Sequence, residues 1–253
     1  SHDTMKNGRN ILDGVSLIIQ KQPGSKRLFW LFSFDVNGSV YHIIDILSNG
    51  GKGEVVSSGF IASNHGVTGL AICDHANGED KWIIFKKNGV EEFEAYKLTK
   101  NGLNTSSPVV SRFSGSFPQS FFFLKSSPNS QFLSAVYRFP RNEVTIFQFN
   151  NQTGQLTDKI FSTANSIQGN EALFTGYTPN SQIALVSRRN KLIAYKITSK
   201  DSATILSTKL LVDSNTTIND NFLDMQIGLD GHLYFLDGTF TSQQSQKISR
   251  ILC

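Results

Sequence analysis

A polar turn recurring at intervals of roughly fifty residues constrains this chain more than any other feature. Five tetrads each separate two apolar runs: Gln22-Pro23-Gly24-Ser25, His75-Ala76-Asn77-Gly78, Ser127-Pro128-Asn129-Ser130, Thr178-Pro179-Asn180-Ser181 and Leu229-Asp230-Gly231-His232. From Gly24 through Asn77, Asn129 and Asn180 to Asp230 the steps are 53, 52, 51 and 50 residues. Proline presets φ at the second position of a tight turn, and Asn, Asp and Gly accept the positive φ that closes one.

What flanks each tetrad repeats as well. A short apolar run precedes it (VSLIIQ, VTGLAICD, SFFFLKS, EALFTGY, LDMQIG) and a second follows (RLFWLFSF, KWIIFK, QFLSAVY, QIALVS, HLYFLD). A third shows alternation (VYHIIDIL, EFEAYKL, EVTIFQF, KLIAYKI, QKISRIL), and a weaker fourth closes most units, as in PVVSRF and TILSTKL. Such runs, rich in Val, Ile, Phe and Tyr and split by polar turns, predict strands, and no segment carries a sustained helical period with caps. Four antiparallel strands per unit predict an all-β fold, a β-propeller of four-stranded blades. A sandwich offers no reason for the same turn at every fourth strand. The units run approximately over 15–62, 67–113, 120–162, 171–210 and 222–253. The fifth lacks a clear fourth strand, so about five blades are expected, as part of a larger six- to seven-bladed ring or closed by a strand from the first twenty residues.

Composition agrees. Of 253 residues, 39% are hydrophobic and 17% charged, with 20 Phe against 2 Met and 2 Trp. This mixture favours strands and turns. No apolar run approaches the ~20 residues of a membrane-spanning helix. Two cysteines, Cys73 and Cys253, cannot make a disulfide framework. The opening SHDTMKNGRN has no charged head followed by an apolar stretch, so no signal peptide is expected there. The net charge of +4 suits an anionic partner without demanding one.

The segment MQIGLDGHLY resembles the SPDG type of WD40-like propeller repeat. Over SLIIQKQPGSKRLFWLFSFD and YHIIDILSNGGKGEVVS, and again over LAICDHANGEDKWIIF and EFEAYKLTKNGLNTSSPVVS, the chain is similar to a family of Bacteroidetes secreted and surface propellers. In that family the propeller stands near the N-terminus of large proteins exported by the type IX secretion system. The resemblance implies a place at the cell surface, in the periplasm or outside the cell. It also implies protein partners of the envelope or secretion machinery, and no known catalytic residues.

Chemistry-bearing motifs are sparse. Gly-x-Ser-x-Gly, Walker and His-Glu-x-x-His patterns do not occur. Asn49-Gly50-Gly51-Lys52-Gly53 lacks the following helix of a phosphate cradle and reads as a turn between third and fourth strands. Cys73 and His75 share one strand face, but zinc needs three or four ligands; His75 reads as a turn brace. Asp35-Val36-Asn37-Gly38 opens like a calcium loop, yet Ile46 stands where its last ligand should be, and a hairpin turn is expected. Phe121, Phe122, Phe123, Trp30, Trp82, Tyr96 and Tyr195 fall at repeat positions that fill space between blades; a sugar-stacking platform is the minor reading.

One charge pattern stands out. After the second strand come Lys86 and Lys87 in unit two, Arg138 and Arg141 in unit three, and Arg188, Arg189 and Lys191 in unit four. Equivalent turns lie side by side on one rim of a propeller, so these seven are expected on one face and mostly exposed, either as solvated turn charges or as a docking surface for a polyanion or an acidic partner. The expected function is a non-enzymatic binding or scaffold module without catalytic, metal or cofactor residues. Its ligands would be proteins or an anionic polysaccharide, and not nucleic acid. The alternatives are a propeller hydrolase or lyase, and a glycan-binding lectin.

Overall fold

The computed structural model describes residues 17–35, 37–63, 65–116, 122–137, 142–163, 172–188, 190–214, 221–238 and 247–251. It is an all-β chain with the sheet pattern of a β-propeller. The first sheet contains β1 (Ile18–Lys21), β2 (Leu28–Asp35), β3 (Gly38–Asp45) and β4 (Glu54–Ala62). The second contains β5 (His65–Asp74), β6 (Lys81–Lys87) and β7 (Val90–Thr99), with the short β8 (Gly102–Leu103) and β9 (Val109–Ser116) both pairing with β7. The third contains β10 (Phe122–Ser126), β11 (Phe132–Tyr137), β12 (Glu143–Asn150) and β13 (Gln155–Thr163). The fourth contains β14 (Ala172–Tyr177), β15 (Ile183–Arg188), β16 (Lys191–Lys196) and β17 (Leu210–Ser214). The fifth shows β18 (Asn221–Ile227), β19 (Leu233–Gly238) and β20 (Lys247–Ile251) among the described residues. Neighbours in every sheet are antiparallel and, apart from the pairing of β9 with β7 across the short β8, consecutive in sequence, as in a meander.

The recurring tetrads are the hairpins between first and second strands. In each, the fourth residue's N–H donates to the carbonyl of the first: Ser25 to Gln22 (3.1 Å), Gly78 to His75 (2.9 Å), Ser130 to Ser127 (2.9 Å), Ser181 to Thr178 (2.8 Å) and Gly231 to Gly228 (3.0 Å). The fifth turn is therefore Gly228–Gly231, one residue earlier than its sequence suggested. The fourth position has positive φ in Gly78, Ser130, Ser181 and Gly231; in the first turn it is Gly24 that does. The Asx side chain at the third position locks the exit: Asn77 Oδ1 accepts from Asp80 N, Asn129 Oδ1 from Gln131 N, Asn180 Oδ1 from Gln182 N and Asp230 Oδ1 from His232 N, all at 3.0–3.1 Å.

The chain divides between residues 119 and 120 into two compact units, with residues 150–155 belonging to the first. The first unit's core gathers Trp30, Phe32, Phe34, Leu70, Ile83, Phe85, Tyr96 and Leu98. The second has one core around Val136, Ile146, Phe161, Val186, Ile193 and Tyr195, and another around Leu185, Met225, Leu233 and Phe235. Burial of such side chains, worth about 1.5–3 kcal/mol each, is what makes the sheets of each unit stack.

One expected strand is partly a helix. TILSTKL reads as the fourth strand of unit four, but α1 (Ser202–Ser207) occupies its start and β17 follows. Asp201 caps α1, its Oδ2 accepting from Thr204 N at 2.7 Å. Ile205 is fully buried in the second unit's core and anchors the turn.

Candidate functional site

The expected basic rim is corrected at two of its residues. Lys86 is 1% and Arg188 3% exposed, whereas both were expected at the surface. Lys86 Nζ donates to the backbone carbonyls of Lys87 (3.0 Å) and Val90 (2.8 Å), closing the turn from β6 to β7 on itself. Lys87 is half-buried. Its amine lies 2.6 Å from Glu92 Oε1 and 3.0 Å from Glu94 Oε1, and Arg112 Nε meets Glu92 Oε2 at 2.6 Å. Hydrogen bonding to Glu92 and then Glu94 holds the Lys87 amine above its usual range, and the Lys87 bond holds the Glu92 carboxyl below the carboxylate range. Tyr96 donates to Glu94 Oε2 at 2.5 Å. The positive charge is thus largely spent inside the sheet that carries it.

Arg188 serves a similar end in the second unit. Its guanidinium donates to Asn142 O (3.2 Å) and to Thr163 O and Oγ1 (2.9 and 3.2 Å), stitching the fourth sheet to the third. The turn register explains its burial. The first turn residue donates to Asp80 O, Phe132 O and Ile183 O in sheets two, three and four. Five residues further on stand Phe85, Tyr137 and Arg188, so Arg188 occupies a position that is aromatic and buried in sheets two and three. Lys191 is exposed, as expected, while Arg138, Arg141 and Arg189 lie outside the described residues.

The aromatics fill the cores. Trp30, Trp82, Tyr96 and Tyr195 are each 5% exposed or less, which removes them as a stacking platform. Phe123 packs at 4.8 Å from Phe174. Phe121 and the side chain of Phe122 lie outside the described residues. The two tryptophans form one repeated device. Trp30 lies over Gly102 and donates Nε1–H to Gln22 Oε1 (2.9 Å); Trp82 lies over Gly154 and donates Nε1–H to Asn151 O (2.8 Å). Of the weaker motifs, His75 braces its turn by accepting from Asn77 N (3.0 Å), and Asp35 Oδ1 accepts from Asn37 N (2.7 Å) and Gly38 N (3.1 Å), as hairpins do. Asn49–Gly51 is a single 3-10 turn between β3 and β4.

Uncommitted charge sits at the opposite ends of the strands, around the tetrads of the first unit. A groove of about 450 Å³ runs between the first two hairpins, with Gln20, Lys21, Gln22, Ser25, Lys26, Glu79 and Lys81 in its walls. The first hairpin is braced from several sides. Gln22 Nε2 donates to Lys100 O (2.9 Å) while Oε1 takes the Trp30 indole proton, and Ser25 Oγ accepts from Leu28 N (2.9 Å) and Arg27 N (3.2 Å). Lys81 pairs with Asp74. Lys21 and Lys26 are exposed and form no ion pair with any described residue. They were missed in the sequence, where neither stands in a recurring pattern.

A second, smaller grouping lies on first strands of the second unit. Lys125 on β10 is half-buried, and burial holds its amine below the usual range, opposed by the charge of Asp224 on β18. Asp224 Oδ2 accepts from Gln226 Nε2 at 3.4 Å. Among the described residues no three His, Cys, Asp or Glu side chains converge as a metal set.

No protein-family model matches the chain. No curated protein matches it either. Solved structures do. A Bacteroides fragilis protein provisionally named 6-phosphogluconolactonase is similar over 79% of this chain, at 18% identity and a TM-score of 0.49, and this chain spans only 53% of its length. A Bacteroides uniformis protein with the same provisional name aligns over 90% of this chain and 69% of its own, at 13% identity and a TM-score of 0.53. A Lactobacillus plantarum protein aligns over 95% and 74%, at 15% identity and a TM-score of 0.53. At these identities the likeness to the latter two is one of fold, and with the sheet pattern it places the chain among the β-propellers.

Proposed function

We propose that the chain is a non-enzymatic binding module that docks an acidic ligand in the groove between its first two hairpins. The observation that carries this reading is the pair Lys21 and Lys26, unpaired cations on either side of a hairpin that Gln22, Ser25 and Trp30 hold in place. A braced turn loses little freedom on binding, so its charges attract a ligand without a large ordering cost. The ligand class is a carboxylate-rich polymer, an acidic protein segment or an acidic polysaccharide. The family resemblance adds a place at the cell surface, in the periplasm or outside the cell, with an envelope protein as partner.

Binding of a fluorescent poly-glutamate peptide and of polygalacturonate tests this, with the two polymers separating the two sources of carboxylate. Affinity is expected to fall as salt rises, since exposed charges are screened over ~8 Å at physiological ionic strength. The Lys21→Glu, Lys26→Glu double variant is expected to bind about tenfold more weakly at low salt, from about 0.7 kcal/mol per exposed charge. Equal binding by variant and wild type would remove the groove from the reading.

A propeller hydrolase is the second reading. Lys125 and Asp224 favour it, as an amine whose basicity burial lowers within the electrostatic reach of a carboxylate. The provisional name of the Bacteroides uniformis structure suggests the substrate to try, a phosphorylated sugar lactone. Lactone hydrolysis that Lys125→Met abolishes would make this the better reading.

A further inference from the structure

We propose that β17 is a self-pairing edge, through which two copies of this chain associate antiparallel across a two-fold axis. Among the described residues β17 is the last strand of its sheet, and one row of its backbone N–H and C=O groups has no neighbouring strand there. All five of its residues are exposed. Three in succession are apolar, with Leu210 at 63%, Leu211 at 54% and Val212 at 39% exposure, and Leu206 on the adjoining α1 is 42% exposed. Natural sheets usually keep such an edge polar or short.

The flanking charges select the occupant. Lys209 and Asp213 stand two residues to either side of Leu211, and neither forms an ion pair with any described residue. In an antiparallel pair centred on Leu211, Lys209 faces Asp213 of the second copy, Leu210 faces Val212, and Leu211 meets its own equivalent. A parallel pair would set lysine beside lysine. Opposite charges across strands stabilise a pair and like charges oppose it, so the pattern fits a closed, isologous dimer. The bulge at Val212 where β17 pairs with β16 adds local twist and confines the paired stretch to the residues around Leu211. β4, another outermost strand, shows the contrast. Its exposed Val56 and Phe60 are separated by Ser57, Ser58 and Gly59, and Glu54 at one end has no basic residue at the other.

Analytical ultracentrifugation of the 253-residue chain, from about 1 to about 100 μM, tests the pairing. A concentration-dependent dimer is expected. Leu211→Lys, an exposed substitution, is expected to weaken it at least tenfold. Lys209→Asp and Asp213→Lys should each weaken it, and the two together should restore it, because the swapped charges again face their opposites. A wild-type monomer throughout the range overturns the proposal. So does a Leu211→Lys chain that dimerises like wild type, or a double swap no better than its parents. Circular dichroism checks that each variant keeps its sheets. If Leu211→Lys unfolds, the charge-swap set still decides.

Discussion

At the scale of single residues, Gly102 and Gly154 show how a small side chain sets a blade's edge. Both have positive φ, at 104° and 81°, and both lie beneath a tryptophan. A Cβ on Gly154 would stand 2.7 Å from the Trp82 ring, whereas one on Gly78, at a φ of 75°, would meet nothing within 4 Å. Gly78→Ala is therefore expected to cost about 1 kcal/mol, the left-handed backbone penalty alone. Gly154→Ala carries that penalty plus displacement of a buried indole, about 2–4 kcal/mol together. Urea unfolding of the two variants compares them, and equal losses would dissolve the link between Gly154 and Trp82. The left-handed turn was legible in the letters Asn77-Gly78, because it is a local matter. The packing of Trp82 on Gly154 was not, since 72 residues of chain separate the two.

At the scale of the element, the second sheet carries its own charge balance. Its lysines looked like a solvent-facing rim because the sequence shows charge but not what faces it. Glu92 and Glu94 follow on β7, and alternation alone did not reveal that both would turn toward Lys87. The arrangement makes stability depend on pH at both ends. The Glu92 carboxyl titrates below its usual 4.5 in the folded chain, so its contribution is present above that pH and is lost as pH falls through the lower folded value. The Lys87 amine titrates above its usual 10.5, so its contribution is complete below that pH and is lost as pH rises through the higher folded value. Glu92→Gln is expected to flatten the acid side of the stability profile below pH 4.5. Thermal unfolding measured from pH 3 to 7 checks it; an unchanged slope would show that Glu92 has no share in the acid loss.

At the scale of the whole molecule, the chain's division at residue 119 is not a simple cut. The turn 150–155 joins the first unit, bringing Asn151 O to the Trp82 indole and Gly154 beneath its ring. A fragment ending at residue 119 would lack both. Its Trp82 emission is expected to shift to the red relative to the full chain, while Trp30, which rests on Gln22 and Gly102 within the fragment, keeps its environment. Fluorescence of the fragment carrying Trp30→Phe, so that Trp82 reports alone, compared with the full chain carrying the same change, decides the matter. Identical spectra would mean that the turn does not shield the indole.

What the sequence determined by itself was everything that short-range backbone chemistry controls. Proline, Asn and Gly at fixed offsets specified the hairpins, and period-two apolar runs between them specified strands, so the meander of each sheet followed. Even the misplaced fifth turn was off by a single residue, because Asp230-Gly231 marks the turn itself and Gly231 takes its positive φ. The helix α1 escaped notice since its cap, Asp201, and its anchor, Ile205, act over one turn within an otherwise strand-like run. Tertiary structure decided which charges stay uncommitted. Arg188 is consumed by carbonyls 25 and 46 residues away, and Lys81 by Asp74, while Lys21 and Lys26 are left to the groove. A charged side chain is neutralised by whatever the fold brings within hydrogen-bond reach, and that neighbour is set by sheet register and stacking rather than by position along the chain.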